Sequence, residues 1–220
     1  MQKIFIHMLC TMGLALLSCS SLAFGDHGSV FKAAKKPDAQ PIANFTGITL
    51  NMAADVLYIP SPTSSVRIFG ADSVVQTVTT EVVKNELKVG LKSTGSYNKK
   101  VRIEIASPEL NSIVVASSGD VEARKLQGKS LHLVLAGSGH IKVSGMVENV
   151  DINSTGSGSI DSKKLKTKNL KIDSVGSGNI AAAASDSVSI RSAGAGDVVV
   201  HGAPQDRKIE KHGVGEVIFK

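Results

Sequence analysis

Apolar and polar residues alternate along short stretches of the chain from Phe45 onwards. The segment 101–105, for example, reads Val-Arg-Ile-Glu-Ile. Because successive side chains of a β-strand point to opposite faces, this pattern predicts strands with one face in a core and the other in water. Up to residue 115 the runs with strand character are 48–52, 56–59, 66–69, 74–83, 87–91, 101–106 and 113–115.

The second half of the chain repeats one motif, a Gly-x-Gly corner followed by a polar residue and then Ile or Val. A degenerate copy at 117–121 precedes five full copies, whose second glycines are Gly139, Gly158, Gly178, Gly196 and Gly215. Counted from Gly119, the successive steps are 20, 19, 20, 18 and 19 residues. A repeat of this length is typical of a solenoid, in which each coil buries its apolar residues only against its neighbours.

Strands flank each corner. Residues 131–135 read Leu-His-Leu-Val-Leu before a corner, and residues 141–143 read Ile-Lys-Val after it. Stacking the coils about 4.8 Å apart would join the aliphatic side chains into one column and leave the polar ones in water. The sequence therefore predicts an all-β fold, a single-stranded β-helix or β-solenoid with about 19 residues per coil and less regular N-terminal coils.

The five second glycines are predicted to be structural turn residues. A corner that recurs once per coil needs either a positive φ or a very close approach between backbones, and glycine permits both. If φ is positive at Gly158, its replacement by valine is expected to cost a few kcal/mol.

The Gly-Ser-Gly-x-Ile/Val units resemble the GIN-domain family, together with the approach at 110–113 (Leu-Asn-Ser-Ile) and the closing Gly-Ala-Pro at 202–204. The name of that family describes it as the head of an auto-transporter adhesin. The resemblance covers nearly all of a domain that we place at 44–220. It implies a β-helix-like fold on exported bacterial proteins and implies no biochemical activity, since a fold does not establish a function.

The N-terminus has the layout of a secretory leader. Lys3 precedes an apolar run at 4–17 and a stretch of small and polar residues, so we predict a signal peptide at 1–25. The lysine- and proline-bearing segment 26–43 is predicted to be a flexible linker. The mature protein is expected in the periplasm, the outer membrane or the cell surface, without a transmembrane helix.

Both cysteines lie in the leader, so no internal disulfide is expected. Cys19 follows Leu-Leu-Ser, which resembles a bacterial lipoprotein box and would make Cys19 a lipidated first residue. Ordinary cleavage after Ala23 or Gly25 is the alternative. Both interpretations stay open, with a slight preference for ordinary cleavage.

Composition and spacing indicate neither catalysis nor a cofactor. Aromatic residues make up 4% of the chain and Trp is absent, which disfavours a deep pocket walled by rings. No pair of carboxylates stands out for glycoside hydrolysis, and the histidines show no metal-binding spacing. The residues after the second glycines form a predicted structural column, with a calcium ladder as the less favoured alternative and Asp197 and Glu216 as the pair to test. This turn column is Asp120, His140, Ser159, Asn179, Asp197 and Glu216.

Five lysines are candidates for an anion-binding patch; they are Lys163, Lys164, Lys166, Lys168 and Lys171. The net charge of +6 is only weakly basic. A solvated outer face of one coil is the favoured alternative, because charge runs usually face water. No nucleic-acid partner is expected, since the lysines lack interleaved aromatic residues.

The last strand, at 217–220, is expected to leave a sheet edge that could pair with a second copy of the chain. Charged residues at Lys208, Glu210, Lys211 and Lys220 would instead blunt this edge and keep the protein monomeric. Both interpretations stay open.

The sequence thus predicts an exported cell-envelope module that binds or has a structural role and is not an enzyme. Its ligand is not identified by the sequence; an envelope glycan or an envelope protein would suit it. The alternative is a carbohydrate-active protein that binds or acts on an anionic polysaccharide through a shallow polar groove.

Overall fold

A computed structural model describes residues 37–92 and 101–220. The predicted signal peptide, most of the predicted linker and Cys19 lie outside the described residues. The described part forms seventeen strands and one short helix. Their bounds are β1 Gln40–Pro41, β2 Gly47–Leu50, β3 Asp55–Pro60, β4 Ser65–Phe69, α1 Asp72–Val75, β5 Val78–Val83, β6 Glu86–Leu91, β7 Arg102–Ser107, β8 Ser112–Val115, β9 Asp120–Leu135, β10 His140–Ser154, β11 Ser159–Lys166, β12 Asn169–Ser174, β13 Ile180–Ala183, β14 Ser187–Ser192, β15 Val198–His201, β16 Asp206–Lys211 and β17 Val217–Phe219.

The predicted β-solenoid is confirmed, because equivalent strands of successive coils pair in parallel. One stack, which we call flank 1, consists of β2, β8, residues 130–135 of β9, residues 149–154 of β10, β12, β14 and β16. Flank 2 consists of β3, residues 120–123 of β9, the start of β10, the start of β11, β13, β15 and β17. A third face joins the flanks in the wider coils and consists of residues 126–128, 145–147 and 164–166.

The core is a set of columns of aliphatic side chains that run along the solenoid. In flank 1, Ile152 lies in register with Leu133 on one side and Ile172 on the other, and all three are 0% exposed. Because side chains alternate along a strand, every second residue points into this interior. One coil has too few apolar side chains to bury them alone, so they pack against the apolar side chains of the neighbouring coils. The outward neighbours are polar or charged along most of flank 1.

The N-terminal coils are less regular, as the sequence predicts. The coil formed by β2 and β3 lies between two later coils, since β2 pairs with both β6 and β8 and β3 pairs with both β7 and β9. Antiparallel strands follow at this end: β5 pairs with β6, β4 with β7 and β1 with β4.

Two local expectations differ from the structure. The run 74–83 was expected to have strand character throughout, but Val74 lies in helix α1, where it is 7% exposed, and the strand begins only at Val78. The Thr77 hydroxyl donates to the Val74 carbonyl at 2.7 Å, which stabilises the turn between them. In addition, β1 falls within the segment 26–43, so paired backbone begins before Phe45. A proline is tolerated there because β1 is an edge strand.

In the last coil an arginine occupies a position that is aliphatic in the four coils before it. Arg207 pairs in register with Val188, and Phe219 pairs with Val200. The Arg207 guanidinium carbon lies 4.2 Å from the centre of the Phe219 ring, and its Nε donates to the Pro204 carbonyl at 3.0 Å. This cation–π contact places a charged group over the end of the apolar column.

Within residues 37–92 and 101–220, no helix has the length and apolar character needed to span a membrane.

Candidate functional site

The second glycines of the corners lie one above another. A Cβ atom built on Gly139, Gly158, Gly178, Gly196 or Gly215 would overlap the carbonyl oxygen of the equivalent glycine in the preceding coil. None of these five has a φ in the left-handed region. Close backbone approach, rather than a positive φ, therefore makes glycine necessary at this corner, and the cost expected for Gly158→Val does not depend on φ.

Three side chains of the turn column that follows these glycines bond to the backbone of the next coil. The Asp197 carboxylate accepts a hydrogen bond from the Glu216 backbone N–H at 2.8 Å, and Asn179 accepts one from the Asp197 N–H at 2.9 Å. Asp120 likewise accepts from the His140 N–H at 2.8 Å. These bonds support a structural role for the column. In the described part of the chain, no three His, Cys, Asp or Glu side chains are grouped so that they could hold a metal ion.

The outer surface of flank 1 carries a continuous row of ion pairs. Lys171 contacts Asp151 at 3.9 Å and Asp173 at 2.8 Å. Arg191 continues the row to Asp173 at 3.7 Å and to Glu210 at 3.1 Å. We call the whole row the charge ladder; it consists of His132, Asp151, Lys171, Asp173, Arg191, Glu210 and Lys208.

Each contact of the charge ladder is exposed to solvent and therefore weak on its own. The side chains of Asp173 and Arg191 are 25% and 63% exposed, and exposed pairs of this kind typically contribute up to about 1 kcal/mol. The pKa of Lys171 is raised, first by its hydrogen bond to Asp173 and then by the charge of Asp151. The ladder is thus a row of alternating charges that largely neutralise one another.

Glu210 should make stability depend on pH. Hydrogen bonds from Lys208 and then Arg191 lower the pKa of its carboxyl below the ordinary value of 4.5. A carboxyl with a lowered folded-state pKa stabilises the fold above its unfolded pKa, and this contribution is lost as the pH falls through the folded pKa. We therefore expect Glu210→Gln to lower the free energy of unfolding at neutral pH and to have no effect below the folded pKa, as measured by urea denaturation across pH.

As a control, the free energies of unfolding of Glu210→Gln and of the parent protein are compared again in about 1 M salt, because screening at that concentration weakens contacts between exposed charges. The difference between the two proteins at neutral pH should then shrink. A loss that is equal at every pH and every salt concentration would show that Glu210 acts through packing and not through charge.

The structure distributes the five candidate lysines over more than one face. Lys171 belongs to the charge ladder on flank 1, whereas Lys164 and Lys166 lie on strand β11 in the third face. Lys163 pairs with Asp161 at 3.2 Å, and Lys168 pairs with Glu148 at 2.7 Å. Within the described residues, only Lys164 and Lys166 of the five have no acidic partner within the ion-pair distance of 4.0 Å.

A shallow groove lined by both polar and aliphatic residues runs along the margin of flank 1, with a volume of about 810 Å³. Its wall includes a ladder of hydrogen bonds between coils. Asn169 donates to Asn149 at 2.9 Å, and the Ser187 hydroxyl donates to Asn169 at 2.8 Å. We call this feature the polar groove; the side chains of its wall include Asn149, Asn169, Ser187, Ser189, Asp206 and Lys208. The sequence signal for it is the recurrence of Asn or Ser at the start of the flank 1 strands.

A second groove lies beside the third face and was not anticipated from the sequence. It has a volume of about 930 Å³ and is lined by Met146, Val147, Thr167, Ala183, Ala184 and Gly202, with Lys166, Lys168 and His201 also contributing. We call it the apolar groove. The available signal was the run of four alanines at 181–184, where small residues leave part of a coil unfilled.

Comparisons with known proteins agree with this architecture. A crystal structure of a "putative adhesin" from Bacteroides fragilis NCTC 9343 superposes with a TM-score of 0.67 at 23% identity, covering 83% of this chain and 95% of that one. This likeness shows a shared fold. No curated protein sequence matches the chain.

Two further crystal structures are less similar. A "putative lipid binding protein" from Parabacteroides distasonis ATCC 8503 has a TM-score of 0.49 at 21% identity, covering 85% of this chain and 98% of that one. A "putative adhesin" from Parabacteroides merdae ATCC 43184 has a TM-score of 0.47 at 16% identity, covering 84% and 97%.

The sequence profile of one family matches residues 44–204, which is most of the chain and includes four of the five full glycine corners. The family is described as "Putative auto-transporter adhesin, head GIN domain". The resemblance inferred from the repeated corners is thereby confirmed, and the chain belongs to the GIN-domain adhesin-head family.

Proposed function

We propose that this chain is an exported protein of the bacterial cell envelope that acts as a non-enzymatic, adhesin-like binding module through flank 1. The observation that carries the proposal is the outer surface of that flank, where the charge ladder and the polar groove extend together across successive coils. Solenoids commonly use extended surfaces of this kind for binding. The family and the leader predicted at 1–25 support export.

The ionisation of three carboxyl groups disfavours a role for them as catalytic general acids. The carboxyls of Glu122, Glu148 and Glu210 have lowered pKa values, in each case first through a hydrogen bond from a cationic side chain. A catalytic general acid near neutral pH needs the opposite shift, usually produced by burial. These ionised groups can accept hydrogen bonds from a partner, but they have no proton to donate.

The polar groove favours a second candidate function, which is binding or cleavage of an anionic polysaccharide. Its wall offers amide and hydroxyl groups for sugar hydroxyls, and Lys171 and Lys208 could contact sugar acids. However, both lysines are already paired with acids of the charge ladder. Tyr58 is 1% exposed and its hydroxyl donates to the Ser107 carbonyl, so it offers no stacking platform. Release of reducing ends from a polysaccharide would favour this candidate over the first.

A bulky side chain in the polar groove tests the binding function. Ser189 lines the groove and faces outward on β14, so Ser189→Tyr should obstruct the surface without removing a core contact. We expect the purified protein to bind isolated bacterial envelopes and Ser189→Tyr to reduce the bound fraction at least about fivefold, corresponding to the loss of roughly 1 kcal/mol. Ala181→Tyr, in the half-buried phase of β13 on flank 2, is the control and should bind like the parent protein.

Equal losses in both tyrosine variants would contradict the assignment of binding to flank 1. Cell fractionation of the parent protein tests export in the same preparation. Recovery from the cytosol with the first 25 residues still attached would contradict the envelope location. For the processed protein, its N-terminal mass distinguishes lipidation at Cys19 from cleavage after Ala23 or Gly25.

A further inference from the structure

The apolar groove exists because the coils become narrower along the solenoid. The third face is built from paired segments at 126–128, 145–147 and 164–166. In the next two coils its place is taken by Ala183, Ala184 and Gly202, whose side chains are small or absent. Backbone stacking continues, since the Ala184 N–H donates to the His201 carbonyl at 3.0 Å and the Ser185 N–H donates to the Thr167 carbonyl at 3.0 Å. The coils therefore remain attached while the space outside them is left unfilled.

The narrowing leaves apolar surface in contact with water. Met146 is 60% exposed, although it lies on a paired strand next to Val147, which is 1% exposed. Gly202 has φ +109°, and a Cβ atom there would overlap the Ala184 carbonyl oxygen, so a larger residue cannot easily fill the groove from this position. The volume of about 930 Å³ lies in the range of small-molecule sites, which are mostly apolar with a few polar groups.

The charges at the margin of the groove do not cancel. Lys168 is paired with Glu148 at 2.7 Å, so these two opposite charges offset each other. Lys166 also lines the groove, and no acidic side chain of the described residues lies within 4.0 Å of its ammonium group. One unpaired cation beside an apolar surface suits a ligand with one negative group and an apolar body.

We propose that the apolar groove binds an anionic amphiphile, a molecule with an apolar chain and a single carboxylate or phosphate head. The chain lies against Met146 and the half-buried Ala183, where it covers apolar surface that is otherwise exposed. The head lies at Lys166. This site is on a different face from the polar groove. The binding of an amphiphile can therefore be tested independently of binding through flank 1.

Dodecyl phosphate below its micelle-forming concentration is the probe, titrated into the purified protein by calorimetry. Saturable binding at one site per chain is expected, and Lys166→Gln should weaken it about tenfold, as expected for the loss of a charge-assisted contact. Lys164→Gln is the matched control, because Lys164 is on the same strand, also has no acidic partner among the described residues, and lines a different hollow. It should bind like the parent protein.

A second matched pair tests the apolar part of the site. Ala183→Leu should fill the groove and weaken dodecyl phosphate binding at least about tenfold. Ala181→Leu makes the same change two residues earlier on β13, in the same half-buried phase but outside the groove lining, and should leave binding unchanged. Circular dichroism melts establish that all four variants are folded.

Three outcomes would overturn the proposal. The first is no saturable binding by the folded parent protein. The second is equal weakening by Lys166→Gln and Lys164→Gln, which would indicate general attraction to a basic surface. The third is binding of the uncharged dodecyl maltoside as tightly as dodecyl phosphate, with no effect of Lys166→Gln.

Discussion

Replacing Gly158 with alanine is expected to destabilise the protein by about 3 kcal/mol or more, because the backbone stack at the corner has no room for a methyl group. The new Cβ atom would overlap the Gly139 carbonyl oxygen and would lie 3.0 Å from its carbonyl carbon. Both are backbone atoms held by their own coil, so relief requires two coils to separate locally. Urea denaturation should show the loss, and the Tm should fall by roughly 6 to 12 °C.

Gly128→Ala is the matched control for Gly158→Ala. Gly128 also lies in the stacked coils, but a Cβ atom there would be 3.9 Å from the Ser130 carbonyl oxygen, the nearest atom outside the adjacent residues. The same chemical change should therefore alter stability by less than about 1 kcal/mol, and any change should favour the folded state, since alanine restricts the unfolded chain. Equal effects of the two substitutions would contradict close packing at the corner.

Ile152→Ala is expected to cost about 3 to 4 kcal/mol, because it opens a cavity in the middle of the aliphatic column. Ile152 is 0% exposed and lies between Leu133 and Ile172, which belong to the coils on either side. Neither neighbouring coil can collapse into the space without breaking its own parallel pairing. The free energy of unfolding from urea denaturation measures the effect.

Ile209→Ala makes the same change in the same column at its last coil. Ile209 pairs in register with Ile190 on one side and is 44% exposed, so its truncation should cost only about 1 kcal/mol. The comparison isolates the contribution of the second neighbouring coil. If both substitutions cost the same, the stability of the solenoid would not arise from stacking between coils.

Several features of the fold could be predicted because they depend on local period. The alternation at 131–135 places Leu133 in the interior and His132 on the outer surface, and both positions follow from the two-residue period of a strand. The distance between successive glycines sets the length of a coil in the same way.

The order of the N-terminal coils could not be predicted from such patterns. The strands β2 and β3 lie between coils that follow them in the sequence. Nothing in the alternation of β2 distinguishes β6 or β8 from any other parallel partner, because all of them present the same aliphatic face. The choice of pairing partner depends on which distant segments of the chain come together during folding. The residues next to a strand in the sequence carry little information about this.

The positions of the proposed binding surfaces could not be predicted from local patterns either. The lysines between 163 and 171 form one run in the sequence, but the bend around the buried Thr167 separates Lys166 on the third face from Lys171 on flank 1. The apolar groove likewise depends on a difference in width between adjacent coils. A single coil, considered alone, contains no groove.

The sequence by itself determined the coil length, the inward and outward phase of the strands in the repeated coils and the family, because each depends on a regular spacing along one chain. Only the tertiary structure decided why the corners require glycine, which side chains form the charge ladder, and where the two grooves lie. These features depend on contacts between coils, which bring together residues about 18 to 20 positions apart when the coils stack. A spacing repeats in the sequence, but a contact between coils exists only after the backbone has closed each turn.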